Sequence, residues 1–270
     1  VLGFGGYPTL PPLIAARLAG IPTVIHDANA VMGRANRFLS RRVSAIATSL
    51  PGVLYKEPSL IGKTTTTGTP MRPAVLAAAA VPYDPPQPGG PLNLLVFGGS
   101  QGARVMAEIV PEALEQLDPA LRARLSVVQQ ARPEDLDAVR ATYARLGITA
   151  ECEPFFADLP ARMAAAHLIV SRSGASTVAE LSAIGRPALL VPLPHALDQD
   201  QLANAGVLEG AGGATTIVQS DFTPERLAAE LARLAAVPQT LTAMAAAARS
   251  AGTLDAAERL ADLVMKTAGI

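Results

Sequence analysis

The segment from His167 to Gln201 restricts the fold more than any other part of this chain. It reads as strand, tight turn, helix, strand and polar loop. The run His167-Leu168-Ile169-Val170 is short, apolar and β-branched, as a strand covered on both faces must be. Ser171-Arg172-Ser173-Gly174 breaks that run with turn chemistry. Thr177-Val178-Ala179-Glu180 opens a helix, and Gly185 stands where a left-handed residue closes one. Arg186-Pro187 leads into a second buried strand, Ala188 to Val191. Parallel strands joined through a helix make the chain α/β, and a ligand of such a sheet sits beyond the carboxyl ends of its strands. That edge carries small residues, N–H groups at a helix start and one acid. The set suits a nucleotide sugar, with N–H donors for a diphosphate and Glu180 accepting from two ribose hydroxyls. Thr177-x-x-Glu180 is equally a capping-box pattern, in which the acid serves only the helix.

With 270 residues the chain is long enough for two domains, each with its own core. Half the residues are apolar, and no apolar run approaches the ~20 residues of a membrane span. A lone Cys152 forms no internal disulfide, so a reducing cytoplasm is the expected setting. Val1 lies inside what reads as a strand-to-turn unit, and a preceding N-terminal part is expected. Charge is uneven: residues 1–85 hold eight Lys or Arg against three Asp or Glu, on a chain whose net charge is −1. A basic first part predicts an anionic partner, phosphates or a lipid surface.

In chain order, Val1 to Pro8 is a strand end running into a glycine-rich turn, followed by an apolar helix from Pro11 to Leu18. Ile21 to Ile25 is the next strand and delivers His26-Asp27-Ala28-Asn29. His26 titrates near neutrality and Asp27 suits a base, so they are the candidate catalytic pair; a helix cap beside a satisfied histidine is the plainer reading. Gly33 to Arg42 is helical and basic, with Arg34, Arg37 and Arg41 on one face. Ala45 to Thr48 is a strand, and Leu60 to Gly68 leads into Thr69-Pro70-Met71-Arg72-Pro73, the exit from the first domain. Val81 to Gly90 is a stiff Pro-rich linker. A second Rossmann-like domain opens with strand Leu92 to Phe97, the turn Gly98-Gly99-Ser100-Gln101-Gly102 and a long helix to Leu117. The turn lacks the Lys-Ser/Thr of a Walker motif and the acid of an NAD site. Strands Leu125 to Gln129 and Ile148 to Glu153, helices Pro133 to Leu146 and Pro160 to Ala166, a last strand Ile217-Val218 and helices Thr223 to Leu234 and Leu254 to Met265 complete the pattern. Asp198 to Gln201 starts another helix. His26, His167 and His195 are far apart in sequence, no metal-ligand spacing occurs, and no basic-aromatic interleaving points to nucleic acid.

Taken together, GFGGYP, IHDAN followed by GRANR, GTPMRP, VFGGSQGA, RSGASTVAEL and DQDQLANA occur in an order that resembles the MurG family over nearly the whole chain. These are the UDP-N-acetylglucosamine transferases of peptidoglycan synthesis. The resemblance implies a GT-B fold, two Rossmann-like doubly wound domains facing across a cleft, with the first domain incomplete. It implies residues 1–72 plus 257–270 as the acceptor and membrane side, and 73–256 as the UDP-sugar domain. Asn29, Arg72 and Ser100 match donor contacts, and Phe156 lies where the family's turn meets the uracil. Ala175, Ser176, Thr177, Val178, Ala179 and Glu180 match the nucleotide-binding helix start, with Glu180 on the ribose. Gln201 matches the glutamine that reads the sugar, and Arg172 the arginine of the RSGA motif. Tyr7, His26, Asp27 and Asn36 match acceptor-side residues. The family's first loop, GGTGGH, is expected before Val1. Asp27-Ala28 replaces its usual Glu-Gln, and Gln130-Ala131 stands where Thr-Gly usually closes a strand.

The activity that the resemblance implies is an inverting transfer of N-acetylglucosamine from UDP-N-acetylglucosamine to undecaprenyl-diphosphoryl-N-acetylmuramoyl-pentapeptide. It would need no metal or other cofactor, and would act peripherally at the cytoplasmic face of the bacterial cell membrane, against anionic lipid. The rivals are a UDP-binding fragment without turnover and another GT-B enzyme, an epimerase or a lipid glycosyltransferase.

Overall fold

The computed structural model describes residues 1–54, 57–99, 102–194 and 199–270. Two parallel sheets organise them. The first has strands β1 (Leu2–Gly3), β2 (Val24–Asp27), β3 (Ala45–Thr48) and β4 (Thr64–Thr66) in that spatial order. Every residue of β2 and β3 is buried, as helices on both faces of a parallel sheet require. Those helices are α1 (Leu10–Leu18), α2 (Arg34–Ser40) and the single turn α3 (Pro58–Ile61). Pro11 and Pro12 sit in the first turn of α1, where a missing N–H costs nothing. Leu13, Ile25, Leu39, Ile46 and Leu60 fill the core between the layers.

The second sheet carries β5 (Leu92–Phe97), β6 (Leu125–Gln130), β7 (Thr149–Glu153), β8 (Leu168–Ser171), β9 (Ala188–Leu190) and β10 (Ala214–Thr216). Its spatial order is β10-β9-β8-β5-β6-β7, parallel throughout. Strand order reverses between β5 and β8, and that is where a doubly wound sheet opens a crevice. The pairing Phe97↔Ser171 sets the turn after β5 beside the turn after β8.

Helix α4 (Pro73–Ala79) buries Val75, Ala78 and Ala79 in the core under this second sheet, so the chain changes sheets between β4 and α4. Helices α5 (Arg104–Glu115), α6 (Pro119–Arg122), α7 (Pro133–Arg145) and α8 (Leu159–Ala165) lead to α9 (Ala175–Ile184), closed by Gly185 at φ 70°. Beyond it lie α10 (Asp200–Gly210), α11 (Pro224–Ala236), α12 (Pro238–Ser250) and α13 (Ala256–Ala268). Helix α13 returns to β3 of the first sheet. At that junction a Cβ on Gly68, whose φ is +84°, would lie 2.7 Å from Thr253 Cβ.

Two expectations are corrected, and two elements are added. The last strand is Ala214–Thr216, because these residues pair with Ala188–Leu190; Ile217 follows as a buried plug. The strand expected at Ile21 to Ile25 starts at Val24 and runs on through His26 and Asp27. The stretch Leu60 to Gly68 contains an edge strand, and the Ala-rich stretch before Leu254 is the helix α12.

Candidate functional site

The turn from β8 to α9 is built from buried polar groups. Ser171 and Ser173 are fully buried, and Arg172 is 8% exposed. The Arg172 guanidinium donates to the carbonyls of Val191 and Pro192, each at 3.1 Å, and to Gln219 Oε1 at 2.6 Å. It anchors the chain leaving β9. Burial pulls its pKa below the usual arginine range. Helix α9 starts at Ala175 behind an extended Gly174 that supplies no side-chain cap. Thr177 is therefore the third helical residue, and a capping box with Thr177 as its first member does not form. The first helical N–H to find an acceptor belongs to Val178, bonded to Gly174 O. The N–H groups of Ala175, Ser176 and Thr177 are the orphan donors of a helix start. Deeper in the helix, Glu180 Oε1 meets Arg72 Nη2 at 3.0 Å, which unites two residues expected at the donor.

The neighbouring turn, after β5, brings its backbone close: a Cβ on Gly98 would lie 2.2 Å from Ala103 N. Gly98 N donates to Gln130 Oε1, and Gln130 Nε2 donates to Pro154 O. One side chain thus ties this turn to the loop carrying Phe155 and Phe156. Phe156 is 7% exposed, with the Arg162 guanidinium 4.2 Å from its ring centre, whereas Phe155 is 68% exposed. The exposed ring of this loop is Phe155, while the Phe156 ring is packed under Arg162. Ser100 and Gln101 lie outside the described residues, as do His195 and Asp198. Gln201 is held by its Oε1, which accepts from Leu193 N at 3.0 Å.

Opposite lies the end of β2. His26 is 2% exposed; its Nε2 donates to Gly68 O at 2.9 Å and lies 3.3 Å from Ser49 Oγ. Burial pushes its pKa down, against an upward pull from the Gly68 carbonyl and Asp27. Asp27, 3% exposed, accepts from Asn29 N at 3.2 Å, Gly33 N at 3.0 Å and Asn36 Nδ2 at 2.8 Å. It shapes the 28–33 loop and the start of α2. Tyr7, Asp27, Asn29, Asn36 and the glycines Gly5 and Gly6 line one pocket of about 270 Å³. Three of the four residues expected on the acceptor side are therefore together, and His26 is not among the pocket's lining.

One residue not singled out from sequence joins the two edges. Asn204 of α10 is fully buried. Its Oδ1 accepts from Ala30 N at 2.7 Å, and its Nδ2 donates to Asn29 Oδ1 at 3.0 Å and Ser173 O at 3.3 Å. The signal for it was its place three residues after Gln201, on the same helical face. Beneath this link Ala28, just after β2, and Ala175, Val178 and Ala179 of α9 line a narrow seam.

Two parallel α/β sheets meeting at the carboxyl ends of their strands, with a helix start in the cleft, define a GT-B glycosyltransferase fold. Residues 93–260 match the Glycosyltransferase family 28 C-terminal domain, and residues 1–48 match that family's N-terminal domain. The chain is 74% identical over 268 residues to the UDP-N-acetylglucosamine--N-acetylmuramyl-(pentapeptide) pyrophosphoryl-undecaprenol N-acetylglucosamine transferase of Nitrobacter hamburgensis, spanning 99% of this chain and 72% of that protein. The crystal structure of Acinetobacter baumannii MurG superposes with a TM-score of 0.83 at 36% identity, over 98% of this chain and 74% of that one. The chain belongs to this family, the MurG transferases. A UDP-GlcNAc 2-epimerase from Neisseria meningitidis, bound to UDP-GlcNAc, has a TM-score of 0.69 at 14% identity, over 98% of this chain and 75% of that one. That is a likeness of fold alone.

Proposed function

We propose that this chain transfers N-acetylglucosamine, with inversion, from UDP-N-acetylglucosamine to the muramoyl sugar of undecaprenyl-diphosphoryl-N-acetylmuramoyl-pentapeptide. The observation that carries the reading is the convergence, in a member of this family, of the α9 start, Gln201 and the Asn29 loop on one seam through Ser173 and Asn204. In this reading Glu180 takes the ribose hydroxyls, Asn29 meets the donor's sugar, and the N–H groups of Ala175 to Thr177 receive the diphosphate. Negative charge on the diphosphate rises as UDP departs, and stabilising it there accelerates the reaction. Holding donor and acceptor hydroxyl across the seam supplies the rest. Of the expected pair, Asp27 lines the acceptor-side pocket and His26 does not. We assign proton acceptance to Asp27 Oδ1, which carries a single N–H donor, and a supporting role to His26. No metal or other cofactor enters this scheme. The donor domain spans 73–256, and the acceptor side is formed by 1–72 with 257–270.

Incubation with labelled UDP-N-acetylglucosamine and a prenyl-linked acceptor analogue tests the proposal, and a β-linked disaccharide lipid is the expected product. Epimerised donor formed without acceptor, or UDP binding without turnover, would refute it.

The same acceptor implies work at a membrane surface. Among the described residues no helix is long and apolar enough to cross a membrane, so we propose peripheral contact at the cytoplasmic face. On the basic helix Arg37 donates to Met32 O, and Arg41, 73% exposed, pairs with Glu57 at 3.3 Å. A neighbouring face adds apolar surface to its basic groups. Arg17 donates to Arg42 O, Arg42 lies over the Phe38 ring, and Leu18 is 85% exposed. Each basic group near anionic lipid contributes about 1 kcal/mol. Arg17→Gln with Arg42→Gln should weaken co-sedimentation with anionic vesicles by roughly one order of magnitude; binding equal to the unsubstituted chain would reject this face.

A further inference from the structure

The seam contains an amide whose orientation is dictated from two sides. Ala30 N can only donate, so the group of Asn204 that meets it at 2.7 Å is the carbonyl oxygen. Ser173 O can only accept, so the group that meets it at 3.3 Å is the amide nitrogen. With Asn204 fully buried no water is at hand to relax either demand, and a flipped amide would set donor against donor and acceptor against acceptor. The remaining hydrogen of Asn204 Nδ2 then points to Asn29, which must answer with its oxygen, as it does at 3.0 Å. Asn29 in turn lines the pocket of Tyr7, Asp27 and Asn36. Its oxygen is committed to Asn204, while its Nδ2 has no hydrogen-bond partner among the described residues.

We propose that Asn204 is a positioning residue that fixes the hydrogen-bond polarity of Asn29, so that Asn29 meets the donor's sugar as an N–H donor and never as an acceptor. This rests on the proposed role of Asn29 as a sugar contact. The relay runs from two backbone groups, one in the loop after β2 and one in the turn after β8, through one buried amide to the side chain that faces the ligand. It therefore joins the narrow seam between the domains to recognition of the sugar. Asn29 can present its N–H₂ only while Ala30 and Ser173 stay within reach of the same side chain.

Asn204→Asp reverses the relay, since a carboxylate offers oxygen to Asn29 and forces its amide to turn over. Titration calorimetry of the chain with UDP-N-acetylglucosamine should then give about tenfold weaker binding, while UDP alone, which lacks the sugar, stays within about twofold. In an Asn29→Ala background Asn204→Asp should add less than about twofold, because the residue through which it acts is gone. A full additional tenfold loss there, or an unchanged sugar-nucleotide affinity in the single variant, would overturn the proposal. Asn29→Asp keeps an oxygen toward Asn204 and places another toward the ligand, so it tests the polarity even where Asn204→Asp fails to fold. It should reproduce the loss, and unchanged binding would again overturn the inference. Binding is read without turnover, so a chain that makes no product defeats the proposed function and leaves this test intact.

Discussion

Arg172→Ala separates a structural from a ligand-binding arginine, and the structure assigns its effect to stability. The guanidinium is 8% exposed and serves three oxygens, two carbonyls just beyond β9 and one amide of Gln219. A hydrogen bond to a charged group contributes about 1.5–3 kcal/mol, and an acceptor left unmet in the interior costs about 1–3 kcal/mol. Water entering the vacated space recovers part of this, so the net loss should be about 3–4 kcal/mol rather than the sum of three bonds. In a domain of this size each kcal/mol lowers Tm by about 2–4 °C, which gives a fall near 10 °C. Lysine carries one ammonium and cannot span all three acceptors, so Arg172→Lys should recover less than half of the loss. Gln219→Ala removes one partner and should cost roughly a third as much. Thermal unfolding followed by circular dichroism, with UDP titration at 15 °C, reads both quantities. An Arg172→Ala chain that melts within 2 °C of the unsubstituted chain but has lost UDP affinity would refute the assignment and return Arg172 to the ligand.

Glu180→Gln should weaken UDP binding ten- to hundredfold through loss of a charge-assisted contact, with little change in Tm, because its partner Arg72 has 66% of its side chain exposed and such pairs contribute about 0–1 kcal/mol; calorimetry and melting decide it. His26 and His167 both have pKa values lowered by burial, so the unfolded chain binds more protons below the ordinary value near 6.5. Stability should be level above that pH and fall as acid is added through the folded-state values, and His26→Gln should flatten part of the slope in denaturant titrations. Gly68→Ala places a Cβ at φ +84°, 2.7 Å from Thr253 Cβ and 3.0 Å from Ala256 Cβ; about 2–4 kcal/mol of destabilisation is expected, and a neutral result in urea unfolding would show that α13 moves aside freely.

Legibility in the sequence depended on which forces are local. Strands β3 and β5 have the bounds read from sequence, Ala45–Thr48 and Leu92–Phe97, because a buried parallel strand is a mostly apolar run bounded by turn residues. Gly185 was legible for the same reason, since a left-handed residue at a helix end is a backbone requirement. Strand β2 was displaced because its last residues are polar. His26 and Asp27 are buried only because Gly68, Gly33 and Asn36 satisfy them, and those partners are not neighbours in sequence. Strand β10 was displaced because pairing with Ala188–Leu190, and not apolarity, selects Ala214–Thr216. Asn204 and Arg172 are both satisfied by partners distant in sequence. The bonds of Asn204 reach across 175 residues to Asn29, and those of Arg172 across 47 to Gln219, so neither partner set leaves a trace in local pattern.

The two departures from the family pattern acquire a physical sense at these same places. A carboxylate one methylene shorter than the usual glutamate stays close to its own backbone, and Asp27 uses that reach on Asn29 N and Gly33 N within its own loop. The residue after it, Ala28, lines a seam whose opposite wall includes Ala175 and Ala179. Gln130, in place of a threonine, has the length to accept from Gly98 N and donate to Pro154 O, and so fixes the turn after β5 relative to the Phe155 loop. Asp27 and Gln130 each satisfy backbone groups of the loops at the sheet edge. The cleft is thus specified by which backbone groups are satisfied from behind. Substitutions that preserve those bonds should be tolerated, and substitutions that break them should fail even where no ligand is touched.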